Sequence, residues 1–197
     1  MDNEQLNELL YQALETEKGG IQVYETAIEC AVNEELKEEW EKYLEQTQNH
    51  ERLLLEAFDS LGLDPSKETG GRKVVRHIGE SLVKAMKMAA GAGNPEAAQL
   101  VAGECIVLAE TKDHLNWELI GQIVKQKKGD YAKALKAAFE EVEEQEDEHL
   151  YHTSGWTREL WIDNLGMPSV LPPPEEAKDV KTAIGAARAK HARKGMV

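Results

Sequence analysis

Apolar residues recur at three- and four-residue spacing along four long stretches of this chain, and every stretch breaks its apolar stripe with a polar group. That 3.6-residue period excludes a β fold and predicts helices over 3–32, 35–61, 95–127 and 131–152. A shorter helix is expected over 74–90. The punctuation agrees: Gly62 and "LDPSKETGGRK" close the second helix, and Asn94-Pro95 supplies an N-cap and first position for the next. Gly129-Asp130 makes a tight link into the last long helix. Two antiparallel hairpins joined by a connection of about 30 residues predict an all-α, four-helix bundle with one long crossover. The bundle is expected to occupy residues 1–155. Residues 156–197 then form a Trp- and Pro-rich C-terminal extension that wraps the bundle or a partner, with a last short helix over 175–192.

The segment 140–152, EEVEEQEDEHLYH, looks like a solvated acidic face. Extending the stripe of Tyr131, Leu135, Ala138 and Val142 in steps of three and four, however, lands on Glu146, His149 and Thr153. On the first helix, Leu6, Leu10 and Ala13 lead to Glu17 before Ile21, Tyr24 and Ile28. On the second, Leu36, Trp40 and Tyr43 lead to Thr47 and His50, then Leu54 and Ala57. Leu100, Gly103 and Val107 lead to Glu110 and His114, then Trp117, Gly121 and Val124.

These groups also share a height. Glu17 lies 17 residues before the first interhelical turn at Glu34, and His50 lies 16 after it. Glu110 and His114 lie 19 and 15 before Gly129, and Glu146 and His149 lie 17 and 20 after it. At about 1.5 Å of rise per residue, Glu17, His50, Glu110, His114, Glu146 and His149 converge. Buried carboxylates need compensating positive charge, and no Lys or Arg sits on these stripes at that level. Two divalent ions would supply it, with carboxylate and imidazole ligands suited to iron, manganese or zinc. The alternative is a metal-free polar network. His77 reads as a surface residue, His152 as an exposed neighbour of the site, and Glu104 as a paired or snorkelling side chain.

A formal charge of −14 argues against nucleic acid as a partner. Residues 175–197 carry six Lys/Arg and three Asp/Glu, a net of +3, leaving −17 on residues 1–174. No secretory signal or membrane-length apolar run is visible, and Cys30 and Cys105 read as buried reduced thiols, so a cytoplasmic protein is expected.

The Glu146-Asp147-Glu148-His149 step, with Glu17 on a first helix and a crossover bundle, resembles the ferritin-like di-iron carboxylate superfamily over about residues 3–155. The run from Glu17 to Tyr24 is similar to the first helix of rubrerythrins. "LEQTQNHERLL" and "ETKDHLNWELIG" resemble YciE/YciF-type bacterial ferritin-like proteins. The resemblance implies Glu17 as a terminal ligand, Glu110 and Glu146 as terminal or bridging ligands, and His50 and His149 as imidazole ligands, around two irons. It departs at Thr47, where the second helix of the family carries a Glu, and at His114, an additional imidazole. Three carboxylates and three histidines then replace four and two, and Glu51 or Glu143 are candidates for the missing carboxylate.

Two functions follow from the resemblance. One is a di-iron oxidoreductase of peroxidase or ferroxidase type, acting as a homo-oligomer such as a dimer and drawing electrons from a separate donor or from Fe(II). The other is a non-catalytic bundle of the stress-response or interaction kind, with a degenerate or single-metal site.

Overall fold

The structure is a computed structural model that describes residues 3–126 and 128–171, with positions 174, 191 and 194. Apart from position 191, the helix expected over 175–192 lies outside the described residues. The described residues form five long helices: α1 (Asn3–Cys30), α2 (Glu34–Leu61), α3 (Gly70–Ala90), α4 (Pro95–Gln126) and α5 (Asp130–Asn164). Among the described residues there is no strand, and no helix is long and apolar enough to cross a membrane.

Local chemistry fixes the helix ends. Asn33 Oδ1 accepts the Leu36 N–H at 3.0 Å, Thr69 Oγ1 that of Arg72 at 3.1 Å, and Asn94 Oδ1 that of Ala97 at 3.1 Å. Gly62 closes α2 at φ 64°, a left-handed conformation that costs glycine nothing. The first helix stops at Cys30, two residues short of the expected end. There the Val32 and Asn33 N–H groups turn to Gln99 Oε1 at 2.8 and 2.7 Å.

The packing neighbours form a ring: α1 against α2, α2 against α5, α5 against α4 and α4 against α1. The crossover between Leu61 and Pro95 holds α3, which packs on α1 and α4. It begins at Gly70 rather than Val74, because Thr69 caps it and Arg72 is drawn inward. Buried Arg72 donates Nε–H to Glu15 Oε2 at 2.6 Å and Nη1–H to the carbonyls of Pro65 and Lys67. Arg76 holds the other Glu15 oxygen at 2.6 Å, so one carboxylate bolts α3 to α1.

A larger difference concerns α5, which continues for twelve residues past His152, from 153 to 164. Gly155, Trp156, Thr157, Glu159 and Ile162 are buried along this extension. Trp156 is only 5% exposed and donates Nε1–H to Glu39 Oε2 at 2.6 Å. A single glycine costs a helix only about 1 kcal/mol, less than a buried indole returns. The helix ends at Asn164, and Gly166, φ 68°, turns the chain so that Met167 N–H reaches back to Ile162 O.

The core is divided in two. One cluster contains Leu10, Leu14, Leu54, Phe58, Trp117, Ile120, Leu135 and Val142. The other contains Val23, Tyr24, Trp40, Tyr43, Met86, Ile106 and Trp156. Along every helix of the ring the polar interruption lies between these clusters, so the site is a buried polar belt between two apolar caps.

Candidate metal centre

Five of the six residues singled out in the sequence meet in this belt. Glu17, His50 and Glu146 form one buried triad, and Glu110, Glu146 and His149 form another. Within each triad the potential ligand atoms lie within 4.8 Å of one another. Glu146 belongs to both: its Oε1 lies 3.1 Å from His50 Nδ1 and 3.7 Å from His149 Nδ1. On the flanks, His50 Nδ1 lies 3.7 Å from Glu17 Oε2, and His149 Nδ1 lies 3.7 Å from Glu110 Oε2. The two imidazoles stack with centroids 5.6 Å apart.

The orientation of both imidazoles is set from outside. His50 donates Nε2–H to Gln145 Oε1 at 2.8 Å, and His149 donates Nε2–H to Gln46 Oε1 at 3.0 Å. Each Gln stands four positions before the other histidine, so α2 and α5 exchange partners reciprocally. With Nε2 carrying the proton, each Nδ1 presents a lone pair to the interior. Burial, and for His50 the neighbouring His149 next, pushes both imidazoles down to about 3, so they are neutral at pH 7.

His114 does not join them. It is half-buried, its Nε2 bonds Asp147 Oδ1 at 2.9 Å, and the Tyr151 ring packs against it. The α4 position turned inward is Asp113, which the sequence reading passed over. From Glu110 the buried face steps by three to Asp113 and by four to Trp117, whereas the expected stripe steps by four to His114 and by three to Trp117. Glu51 is half-buried 4.0 Å from Lys18, and Glu143 is exposed 3.4 Å from Lys125, so neither supplies the missing carboxylate. Thr47 is buried, but its hydroxyl donates to Tyr43 O at 2.9 Å rather than to the centre. Asp113 is thus a fourth buried carboxyl of the belt, contributed by α4 and lying beside Glu17.

The electrostatics are those of crowded acids. Burial raises Glu17, Asp113 and Glu146 well above the ordinary carboxylate range. The next contribution comes from a neighbouring carboxylate: Asp113 for Glu17 and Glu146, Glu110 for Asp113. Burial moves Glu110 up to about 7. Trp117 Nε1–H donates to Glu17 Oε1 at 2.7 Å and is a direct hydrogen bond to this carboxylate set. The Tyr24 hydroxyl is raised by burial first and by Glu110 next.

Glu17 Oε2, His50 Nδ1, Glu110 Oε2, both Glu146 oxygens and His149 Nδ1 are all buried and lack a hydrogen-bond partner. Unsatisfied buried polar atoms cost about 1–3 kcal/mol each, and six facing one another are not explained by packing. A divalent cation satisfies them. Donor atoms about 2.1 Å from an ion lie about 3.0–3.4 Å apart, close to the 3.1–3.7 Å separations found here. The buried Glu/His groups can therefore hold a metal ion.

No family model, curated protein or solved structure matches this chain. The functional reading accordingly rests on the site itself.

Proposed function

We propose that this protein is a ferritin-like metal-binding protein whose centre holds two divalent ions, iron foremost, and oxidises Fe(II) with hydrogen peroxide or oxygen. The supporting observation is Glu146, whose unpartnered Oε1 stands between two inward-facing imidazole lone pairs. Glu17 with His50 would hold one ion and Glu110 with His149 the other, with Glu146 shared and Asp113 beside Glu17. When bound, an iron pair supplies the two electrons that take hydrogen peroxide, with two protons, to two waters, each iron passing from ferrous to ferric.

The chain's own residues do the rest. Gln46 and Gln145 orient the imidazoles. Trp117 fixes one Glu17 oxygen and leaves the other facing His50. The apolar clusters on both sides keep bulk water from the belt. Electrons come from Fe(II) or from a separate donor protein, and a homodimer is the proposed assembly.

Thr47 favours a second reading, a single-metal, non-catalytic bundle, because α2 contributes only one ligand where the resemblance implies two. Mixing metal-free protein with Fe(II) and hydrogen peroxide, and following Fe(II) loss, separates the two. Loss faster than in buffer, abolished in Glu146→Ala, supports the redox reading. Stoichiometric binding without faster loss leaves the single-metal reading, and no binding removes both.

A further inference from the structure

We propose that the groove between α4 and α5 is the path by which cations reach the centre, with the hydrogen-bonded pair His114–Asp147 as its door. The proposal rests on the metal reading of the centre. The groove encloses a cavity of about 380 Å³. Its lining includes Glu146, which is only 2% exposed and whose two oxygens have no hydrogen-bond partner. Trp117, which holds Glu17, forms another part of the wall. Three other surface cavities of about 400, 340 and 270 Å³ are lined by no residue of the two triads.

The charge of the groove fits a cation. Glu118, Glu143, Glu146 and Asp147 line it, against one ammonium, Lys125. Glu118 and Glu143 are exposed, and Glu143 already partners Lys125 at 3.4 Å. Carboxylates at the mouth of a low-dielectric cleft concentrate cations and raise their rate of arrival. Asp147 stands next to Glu146 in the chain, and its Oδ1 is held by His114 Nε2 at 2.9 Å across the two helices. Exchanging that one hydrogen bond frees a carboxylate oxygen beside Glu146. His114 is thus placed to control passage rather than to bind the ion at rest.

A door and a ligand predict opposite results for one substitution. If His114 is a door, His114→Ala loads faster and reaches the same final metal content. If it is a ligand, the content or the affinity falls.

The test is stopped-flow mixing of metal-free, full-length protein with Co(II), followed by the visible absorption of the bound ion, with Co(II) per chain measured at saturation. Glu118→Lys with Glu143→Lys is expected to slow loading about tenfold at low ionic strength, at the lower end of what charge focusing commands. The milder Glu118→Gln with Glu143→Gln changes the rate in the same direction, which guards against a fold defect in the lysine pair. Glu38→Lys with Glu41→Lys, on exposed positions of α2, makes the same change in net charge and leaves the rate unaltered. Equal slowing by the α2 pair, no slowing by either groove pair, or a lower Co(II) content in His114→Ala would sink the path while the metal reading stands. No Co(II) bound by the unsubstituted protein overturns the metal reading, and the path with it.

Discussion

Gln46 and Gln145 decide what His149 and His50 offer the interior, because each accepts the Nε2 proton and leaves Nδ1 as a lone pair. Gln46→Leu and Gln145→Leu should each weaken metal binding about 10–100-fold without unfolding the chain, the usual cost of losing such an orienting partner. Calorimetric titration measures this, and unchanged affinity in both would remove the orienting role. Asp113 gives a sharper test because its effect changes sign with the metal. Without metal, burial first and the neighbouring Glu110 next force Asp113 to take up a proton to stay folded at neutral pH, so Asp113→Asn, which removes that cost, should raise the melting temperature. With metal, the same substitution removes an anion from beside Glu17 and should weaken binding. Paired melting curves with and without metal check both signs.

At the scale of helices, the expected elements carried most of the arrangement, because capping residues and the 3.6-residue period are local signals. Asn94 opens α4 and Gly62 closes α2 where their chemistry predicts. Glu17, His50, Glu110, Glu146 and His149 were legible because the apolar stripes of α1, α2 and α5 point to them, and that of α4 reaches Glu110. Asp113 was not, since α4 also carries Leu108, Leu115 and Leu119 on its exposed side and so marks its inner face poorly. Steps of three and of four from Glu110 both fit a helix, and only the packing selects Asp113 over His114. The twelve extra residues of α5, 153–164, are not marked by the period alone, because their buried face of Thr153, Trp156, Thr157 and Glu159 mixes polar and aromatic groups and Trp156 finds its hydrogen-bond partner on α2. If that extension belongs to the second apolar cluster, Trp156→Ala should cost about 3–5 kcal/mol in urea unfolding. A loss under 1 kcal/mol would mean the extension packs loosely.

At the scale of the molecule, the buried acids tie stability to pH. Burial pushes Glu110 up to about 7 from an ordinary 4.5, and raises Glu17, Asp113 and Glu146 as well. The folded metal-free protein therefore holds protons that the unfolded chain releases, and the stability they contribute is lost as pH rises through the folded values. The histidines, lowered from 6.5 to about 3, act oppositely; their contribution is fully present above 6.5 and is lost as pH falls. From pH 6.5 to 8 the four raised carboxyls outweigh the two histidines, so the metal-free melting temperature should fall across that window. Bound metal, which holds the carboxylates in their anionic form, should flatten the decline. A flat or rising profile without metal would contradict the burial and crowding of these acids.

The most direct measurement of the central claim is the melting temperature of metal-free protein at pH 7.5, with and without Fe(II) under anaerobic conditions. A site in the polar belt saturated at about a thousand times its dissociation constant adds about 4 kcal/mol of stability. For a chain of this size that raises the melting temperature by about 8–16 °C, and Glu146→Ala should abolish the rise. A melting temperature indifferent to the ion, or a rise that survives Glu146→Ala, would contradict a metal centre between the two apolar clusters.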